Sequence, residues 1–379
     1  MFVACCLLER CYHRARMRRR ELLFGSMGVC LASCGGSPEV EPPKDGVDLA
    51  SELISGVAAS GQLRAAVLTV QQGADARSNA FGEAASEDAV FLIASISKPM
   101  TATGLMLLAD RGELKLSDPA QKFIPEFSEG DRSKITIKHL LTHTSGLPDQ
   151  LPENQELREQ NAPIEDFVKR AIQTPLLFEP GSQYKYQSMG ILLASEVAQR
   201  ITGERFPDFL DREVFRPLGM TRTAMGLGSF SLDEVQRCQV EFAAPESGAG
   251  DPSAAGWDWN SPFWRNFGAP WGGAHSTAPD VNRFLQSFLH PDGKVLKEAT
   301  ARSMISEQTP DMDQRRGLGF ALNAGGKNSS SSTFGHGGST GTLSWADPEA
   351  DRSFVLLTSL PARESRGLVL GPVSDLASG

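Results

Sequence analysis

Cysteine almost vanishes from this chain after its first 34 residues. Cys5, Cys6, Cys11, Cys30 and Cys34 lie there, and Cys238 alone follows. No intrachain disulfide is therefore available to the body of the chain, which must hold itself together by packing and hydrogen bonding. Positive charge is short as well. The 37 lysines and arginines face 46 aspartates and glutamates, for a net charge of −9, which argues against nucleic acid or an anionic membrane surface as a partner. No internal repeat is visible. The longest apolar run, Leu22 to Leu31, is roughly ten residues and too short to span a bilayer.

That run sits in a recognisable setting. Arg14, Arg16, Arg18, Arg19 and Arg20 precede it, and Leu31-Ala-Ser-Cys34 closes it with small residues before a cysteine. The pattern resembles a bacterial lipoprotein signal. It implies a signal peptide over residues 1–33 and lipidation of Cys34, with residues 34–48, proline-containing and of mixed charge, as a flexible tether. The expected location is the periplasmic side of a membrane, the outer one where the cell has one. Residues 49–379 remain for folding, with apolar and charged fractions ordinary for a globular chain.

Periodicity predicts a helix over 49–58, then a β-branched strand over 63–70 with a hairpin partner at 75–84. Further helices are expected from residue 95 to the Arg111-Gly112 stop, from 135 to a break at Gly146, over 187–201 before Gly203, and over 280–289. Strands are expected at 317–323, 342–345 and 353–359. A mainly helical stretch, roughly 100–225, thus interrupts strands from both ends. Residues 228–271 show little periodicity but hold four of the five tryptophans. They read equally as the aromatic wall of a cleft or as an insertion folded onto the core. The tail 371–379 gives no clear signal.

Chemistry concentrates in three places. Ser95-Ile-Ser-Lys98 opens the apolar helix, with Pro99 tolerated in its first turn. Residues three apart share a helix face, so Lys98 can reach the Ser95 hydroxyl and, once desolvated, take its proton. Spacing alone does not single this pair out, because Ser182-Gln-Tyr-Lys185 repeats it in a Pro-Gly loop. Tyr186 follows that loop at the start of the next helix, where a phenol can shuttle protons. Phe334-Gly-His336-Gly-Gly-Ser-Thr-Gly341 sets a histidine in a glycine-rich turn before a strand, where backbone N–H groups can face a reacting carbonyl.

Several ordered segments together resemble the penicillin-recognising serine hydrolases, which comprise class C β-lactamases, DD-peptidases and their esterase relatives. They are Ser95-x-x-Lys98 leading to Gly112-Glu-Leu-Lys-Leu-Ser-Asp-Pro119, Ile135-Thr-Ile-Lys-His-Leu-Leu-Thr-His-Thr-Ser-Gly-Leu-Pro148, Phe178-Glu-Pro-Gly181 with Tyr186, Pro217-Leu-Gly-Met220, and Phe334-Gly-His-Gly-Gly338. The resemblance implies an α+β fold of β-lactamase/transpeptidase type: an antiparallel sheet flanked by helices, with an inserted helical lobe. It makes Ser95 the acylated nucleophile, Lys98 its activator and Tyr186 the proton relay of a Tyr-x-Asn motif. His336-Gly337-Gly338 matches the Lys-Thr-Gly element, and the backbone N–H groups of Ser95 and Ser339 match the oxyanion hole. No metal or organic cofactor is implied. Two departures stand out. Ser188 replaces the asparagine that positions the lysine and the acyl amide, and His336 replaces a lysine that holds a carboxylate. A histidine is only partly charged near neutral pH, so esters or D-amino-acid peptides fit better than efficient β-lactam turnover.

Competing patterns are weaker. Gly337-Gly-Ser-Thr-Gly341 satisfies Gly-x-Ser-x-Gly, but that motif needs a following helix and a later histidine, and none follows His336. His139 and His143 have zinc-pair spacing without the intervening glutamate, so capping and packing are expected of them. A third reading is a lipid-tethered penicillin-binding or sensor domain with little turnover.

Overall fold

The computed structural model describes residues 44–379. The expected signal peptide and the expected lipidation of Cys34 fall outside the described residues. The first helix, α1 (Gly46–Ala59), starts inside the stretch expected as a tether. Asp45 is the reason: its carboxylate accepts from the N–H groups of Val47 and Asp48 and fixes the helix start there.

Strands β1 (Ala65–Gln72) and β2 (Asp75–Gly82) form the expected hairpin, and β3 is the short Phe91–Leu92. Helix α2 (Ser97–Asp110) follows, then α3 (Ile137–Thr142), α4 (Asn154–Glu159), α5 (Ile164–Gln173), α6 (Met189–Thr202) and α7 (Phe206–Leu210). Strand β4 (Ala224–Met225), helix α8 (Pro262–Phe267), strand β5 (Ala274–Ser276), and helices α9 (Ala278–Leu289) and α10 (Glu298–Met304) come next. The chain closes with β6 (Ala321–Leu322), β7 (Phe334–Gly338), β8 (Thr342–Asp347), β9 (Arg352–Thr358) and helices α11 (Ala362–Ser365) and α12 (Gly371–Ala377).

Six strands pair antiparallel in the order β2-β1-β9-β8-β7-β6, and β3-β5-β4 form a smaller sheet. Alternate residues of a strand face opposite ways, and the cores follow that rule. Val67, Val355 and Leu357 enter the larger core with α2, α6 and α9. Ala66, Leu68, Phe354 and Leu356 enter a smaller one under α1 and α12. Both faces of the central strands are thus covered, which is why β1 and β9 read as apolar runs rather than as alternation. Helix α2 is buried on nearly every side, from Ser97 to Leu108, so it forms the axis of the large core.

Four local expectations shift. Helix α3 stops at His143, which adopts the left-handed region at φ 62°, three residues before Gly146. Of the strand expected at 317–323 only Ala321–Leu322 pairs, and the glycine-rich Phe334–Gly338 is itself a strand. The tail forms α12, docked by the Trp345 indole N–H donating to Ser374 Oγ at 2.9 Å. Pro372 hides this helix in the sequence, yet proline fits a first turn.

The β7–β8 turn closes on Gly341 at φ 90°, where a Cβ would overlap the Leu360 carbonyl oxygen. Gly341→Ala combines that clash with left-handed strain, so we expect a loss of about 2 kcal/mol or more. Chemical denaturation checks it; an unchanged midpoint would contradict the packing described.

Candidate active site

Ser95 stands in a single tight turn (Ala94–Ile96) between β3 and α2. Ala94 holds φ 46°, a strained conformation for a residue with a Cβ, costing about 1–3 kcal/mol. Neighbouring side chains enforce it. Thr340 Oγ1 donates to the Leu92 carbonyl at 2.6 Å and Thr342 Oγ1 to that of Ile93 at 2.9 Å. Ser97 Oγ donates to the Ala94 carbonyl at 2.6 Å and accepts from the Ala274 N–H at 3.0 Å. A Cβ on Gly338 would collide with the Ile93 carbonyl oxygen, so only glycine lets β7 lie this close to the serine turn.

Lys98, on the first turn of α2, is 1% exposed. Its Nζ donates to Ser95 Oγ at 3.1 Å and to the Trp271 carbonyl at 2.8 Å, and lies 4.8 Å from the Tyr186 ring centre. Burial lowers its pKa to about 7; Asp149 opposes the shift and Arg316 adds to it. Tyr186 is pushed the other way: burial raises its phenol above the ordinary value, and its contact with Ser95 only partly opposes this.

His336, on β7, is buried beside Tyr186, with ring centres 6.0 Å apart. Its Nδ1–H donates to the Gly337 carbonyl at 2.7 Å, and its Nε2 accepts from Arg316 Nη2 at 3.4 Å. The same Arg316 nitrogen donates to His143 Nε2 at 3.0 Å. Burial, and then the Arg316 charge, hold both histidines well below their usual pKa. The expectation of a partly charged His336 is therefore corrected: it is neutral at physiological pH, and the fixed cation here is the buried Arg316. Sequence reasoning missed Arg316 because Arg315-Arg316 reads as a solvated pair, and only Arg315 is exposed.

Ser188 also departs from its expected role. Its Oγ donates to Asp149 Oδ1 at 2.6 Å and makes no hydrogen bond to Lys98. Gln187, buried between Tyr186 and Ser188 in sequence, accepts from Ser145 Oγ at 2.6 Å and, by donating from Nε2 to the His139 carbonyl at 3.3 Å, ties the Tyr186 turn to α3. His139 caps α3 through Thr136, at 3.3 Å in each direction, and His143 packs 4.7 Å from the Tyr186 ring. Ser182 lies apart, exposed and donating to the Glu179 carbonyl at 2.6 Å. Ser95, Tyr186 and Ser339 border two cavities. One, of about 230 Å³, runs past Ser188 to Trp259, Trp264 and Trp271. The other, of about 510 Å³, holds His336, Gly337, Gly338 and Arg316. The two readings of the tryptophan-rich segment are thus both true: its tryptophans are buried, and three of them wall the cleft.

A family model described as Beta-lactamase matches residues 50–375. This chain belongs to that family. Its relatives include the esterase EstB of Burkholderia gladioli, 34% identical over 154 residues, a stretch covering 37% of this chain and 39% of the esterase. The chain thus spans under half of that relative's length. Among solved structures, EstCE1, a hydrolase with promiscuous acyltransferase activity, superposes with a TM-score of 0.72 at 21% identity, covering 88% of this chain and 99% of its own. A D-amino acid amidase of Ochrobactrum anthropi superposes at 0.67 with 24% identity, covering 87% and 97%. At these identities the likeness establishes the β-lactamase/transpeptidase-like fold.

Removing Arg316 should release what it restrains. In Arg316→Met the ring titrations of His143 and His336, read by NMR, should move up towards the ordinary histidine range, although burial keeps them below it. Titrations that stay in place would contradict the electrostatic role given to Arg316.

Proposed function

We propose that the chain is a serine hydrolase of esterase or amidase type working through an acyl-enzyme on Ser95. The observation that carries this is Lys98: a buried amine 3.1 Å from Ser95 Oγ, with a pKa near 7 and no carboxylate bonded to it. At neutral pH a large share of Lys98 is uncharged, so its lone pair can turn to accept the Ser95 proton as Oγ attacks the acyl carbon. The backbone N–H groups of Ser95 and Ser339 receive the developing oxyanion. The bond to the leaving group then breaks, and that group takes a proton through the Tyr186 phenol, which its raised pKa keeps protonated. Water attacks the ester on Ser95 by the reverse proton path, releasing the acid and restoring the hydroxyl. Tyr186 is thereby a proton donor and relay, and Lys98 the initial base.

A tethered sensor without turnover is the poorer reading, because it leaves a costly desolvated amine without use. The esterase relative and the amidase-like fold support ester or amide donors. β-Lactams should be weak substrates, since neutral His336 replaces the family's lysine. We also propose export as a lipoprotein acylated at Cys34; Cys34→Ser should abolish incorporation of labelled palmitate in a bacterial host, and undiminished labelling would refute it.

Turnover of a p-nitrophenyl ester should vanish in Ser95→Ala and fall about 10²-fold or more in Lys98→Ala and Tyr186→Phe. Ser182→Ala should stay within about threefold, as a surface change away from the site. Because Lys98 must lose its proton to act, kcat/KM should rise with pH through about 7 and then level off. A flat profile from pH 5 to 9 would remove Lys98 as the base.

A further inference from the structure

The smaller cavity holds a charged group that the acyl-transfer chemistry does not use. Arg158, on α4, is 4% exposed, and its guanidinium stacks 4.1 Å from the Trp264 ring. A guanidinium has five N–H donors. Arg158 makes one side-chain hydrogen bond among the described residues, from Nη1 to the Glu246 carbonyl at 3.1 Å, and its buried Nε has no partner. No carboxylate pairs with it among the described residues. A buried cation with no carboxylate bonded to it is costly, and a flat guanidinium pinned on an indole is pre-organised for a bidentate acid. Burial lowers the Arg158 pKa to about 10 against the opposing charge of the exposed Glu246, and leaves it charged at neutral pH.

Position gives this cation a ligand. Arg158 lines the same cavity of about 230 Å³ as Ser95, Tyr186 and Ser339, so a group attached to Ser95 can extend to it. Ser188 also lies on this cavity's wall, where it donates to Asp149. Trp259, Trp264 and Trp271 supply apolar walls for a short chain. Two acids share the lining. Asp149 accepts from Ser188, and Glu246 is exposed and makes no ion pair with Arg158. Arg363, exposed at the rim, adds a second cation.

We propose that Arg158 is a specificity-determining residue: this cavity accepts short acyl groups ending in a carboxylate, the half-esters or half-amides of dicarboxylic acids. The proposal rests on the acyl-enzyme reading above and deepens it. It adds no chemical step. The acyl group's distal carboxylate lies against Arg158, while its other carbonyl carbon is transferred to Ser95.

The test compares mono-p-nitrophenyl glutarate with p-nitrophenyl valerate, esters of similar length that differ by the terminal charge. The wild type should favour the glutarate by about tenfold or more in kcat/KM, the scale of a charge-assisted hydrogen-bonded pair. That ratio should fall to about one in Arg158→Met and be partly kept in Arg158→Lys, whatever the absolute rates. Equal rates in the wild type, an unchanged ratio in both variants, or a preference for a carboxylate on the phenol arm (4-carboxyphenyl valerate) would overturn the proposal. A second readout needs no turnover: quenching of tryptophan fluorescence by free glutarate, compared with valerate, in Ser95→Ala. Saturable glutarate binding that Arg158→Met removes supports the site even where neither ester is hydrolysed, a result that would sink only the hydrolase reading. Absence of selective glutarate binding to the folded protein counts against the site itself.

Discussion

A lysine amine kept out of water beside a serine hydroxyl is the interaction on which this structure turns. A lone ammonium in the protein interior is expensive, and the molecule lowers that expense by letting Lys98 lose its proton near neutrality. The remaining polar demand is met by the Trp271 carbonyl and Ser95 Oγ. For that arrangement to persist, the chain must hold water away from α2 and hold segment 270–274 against it. Thr101 bonded to the Pro270 carbonyl, Lys98 to that of Trp271, and Ser97 to the Ala274 N–H do so along three contacts.

The same constraint explains why the site is built from distant pieces. The serine turn is strained at Ala94, and it is the β7–β8 turn, through Thr340 and Thr342, that pins it. Those hydroxyls also anchor the turn that follows Ser339, which lines the same two cavities as Ser95. Arg316 then fixes the electrostatic state of the far wall. Bonded to both His143 and His336, it adds its charge to the burial that already holds their pKa values low, and it orients the His336 ring, with Nδ1–H turned to Gly337. A fixed guanidinium thus stands where a titrating imidazole was expected.

Much of this was legible in the sequence, for identifiable reasons. Ser95, Lys98, Tyr186 and His336 lie in segments whose spacing and order are constrained by chemistry, and the structure brings all four to one cleft. The strands β1 and β9 announce themselves because both faces are buried. What stayed hidden depends on long-range burial. Arg158 and Arg316 look like solvated arginines until Trp264 covers one and two histidines accept from the other. Asp149 ends a Gly-Leu-Pro turn and gains meaning only when Ser188 donates to it. Helix α3 ends at His143 rather than at the glycine because His143 itself takes the left-handed conformation. Its place between Tyr186 and Arg316 accompanies that turn.

The central claim is that Ser95 is made nucleophilic by an amine with a pKa near 7. The most direct measurement is the rate and site of covalent labelling by an organofluorophosphonate, followed by mass spectrometry of the digested protein from pH 5 to 9. The account predicts one label per chain, on Ser95, at a rate that rises with pH through a midpoint of about 7. Labelling on Ser182 or Ser339, or a Ser95 rate indifferent to pH, would contradict it.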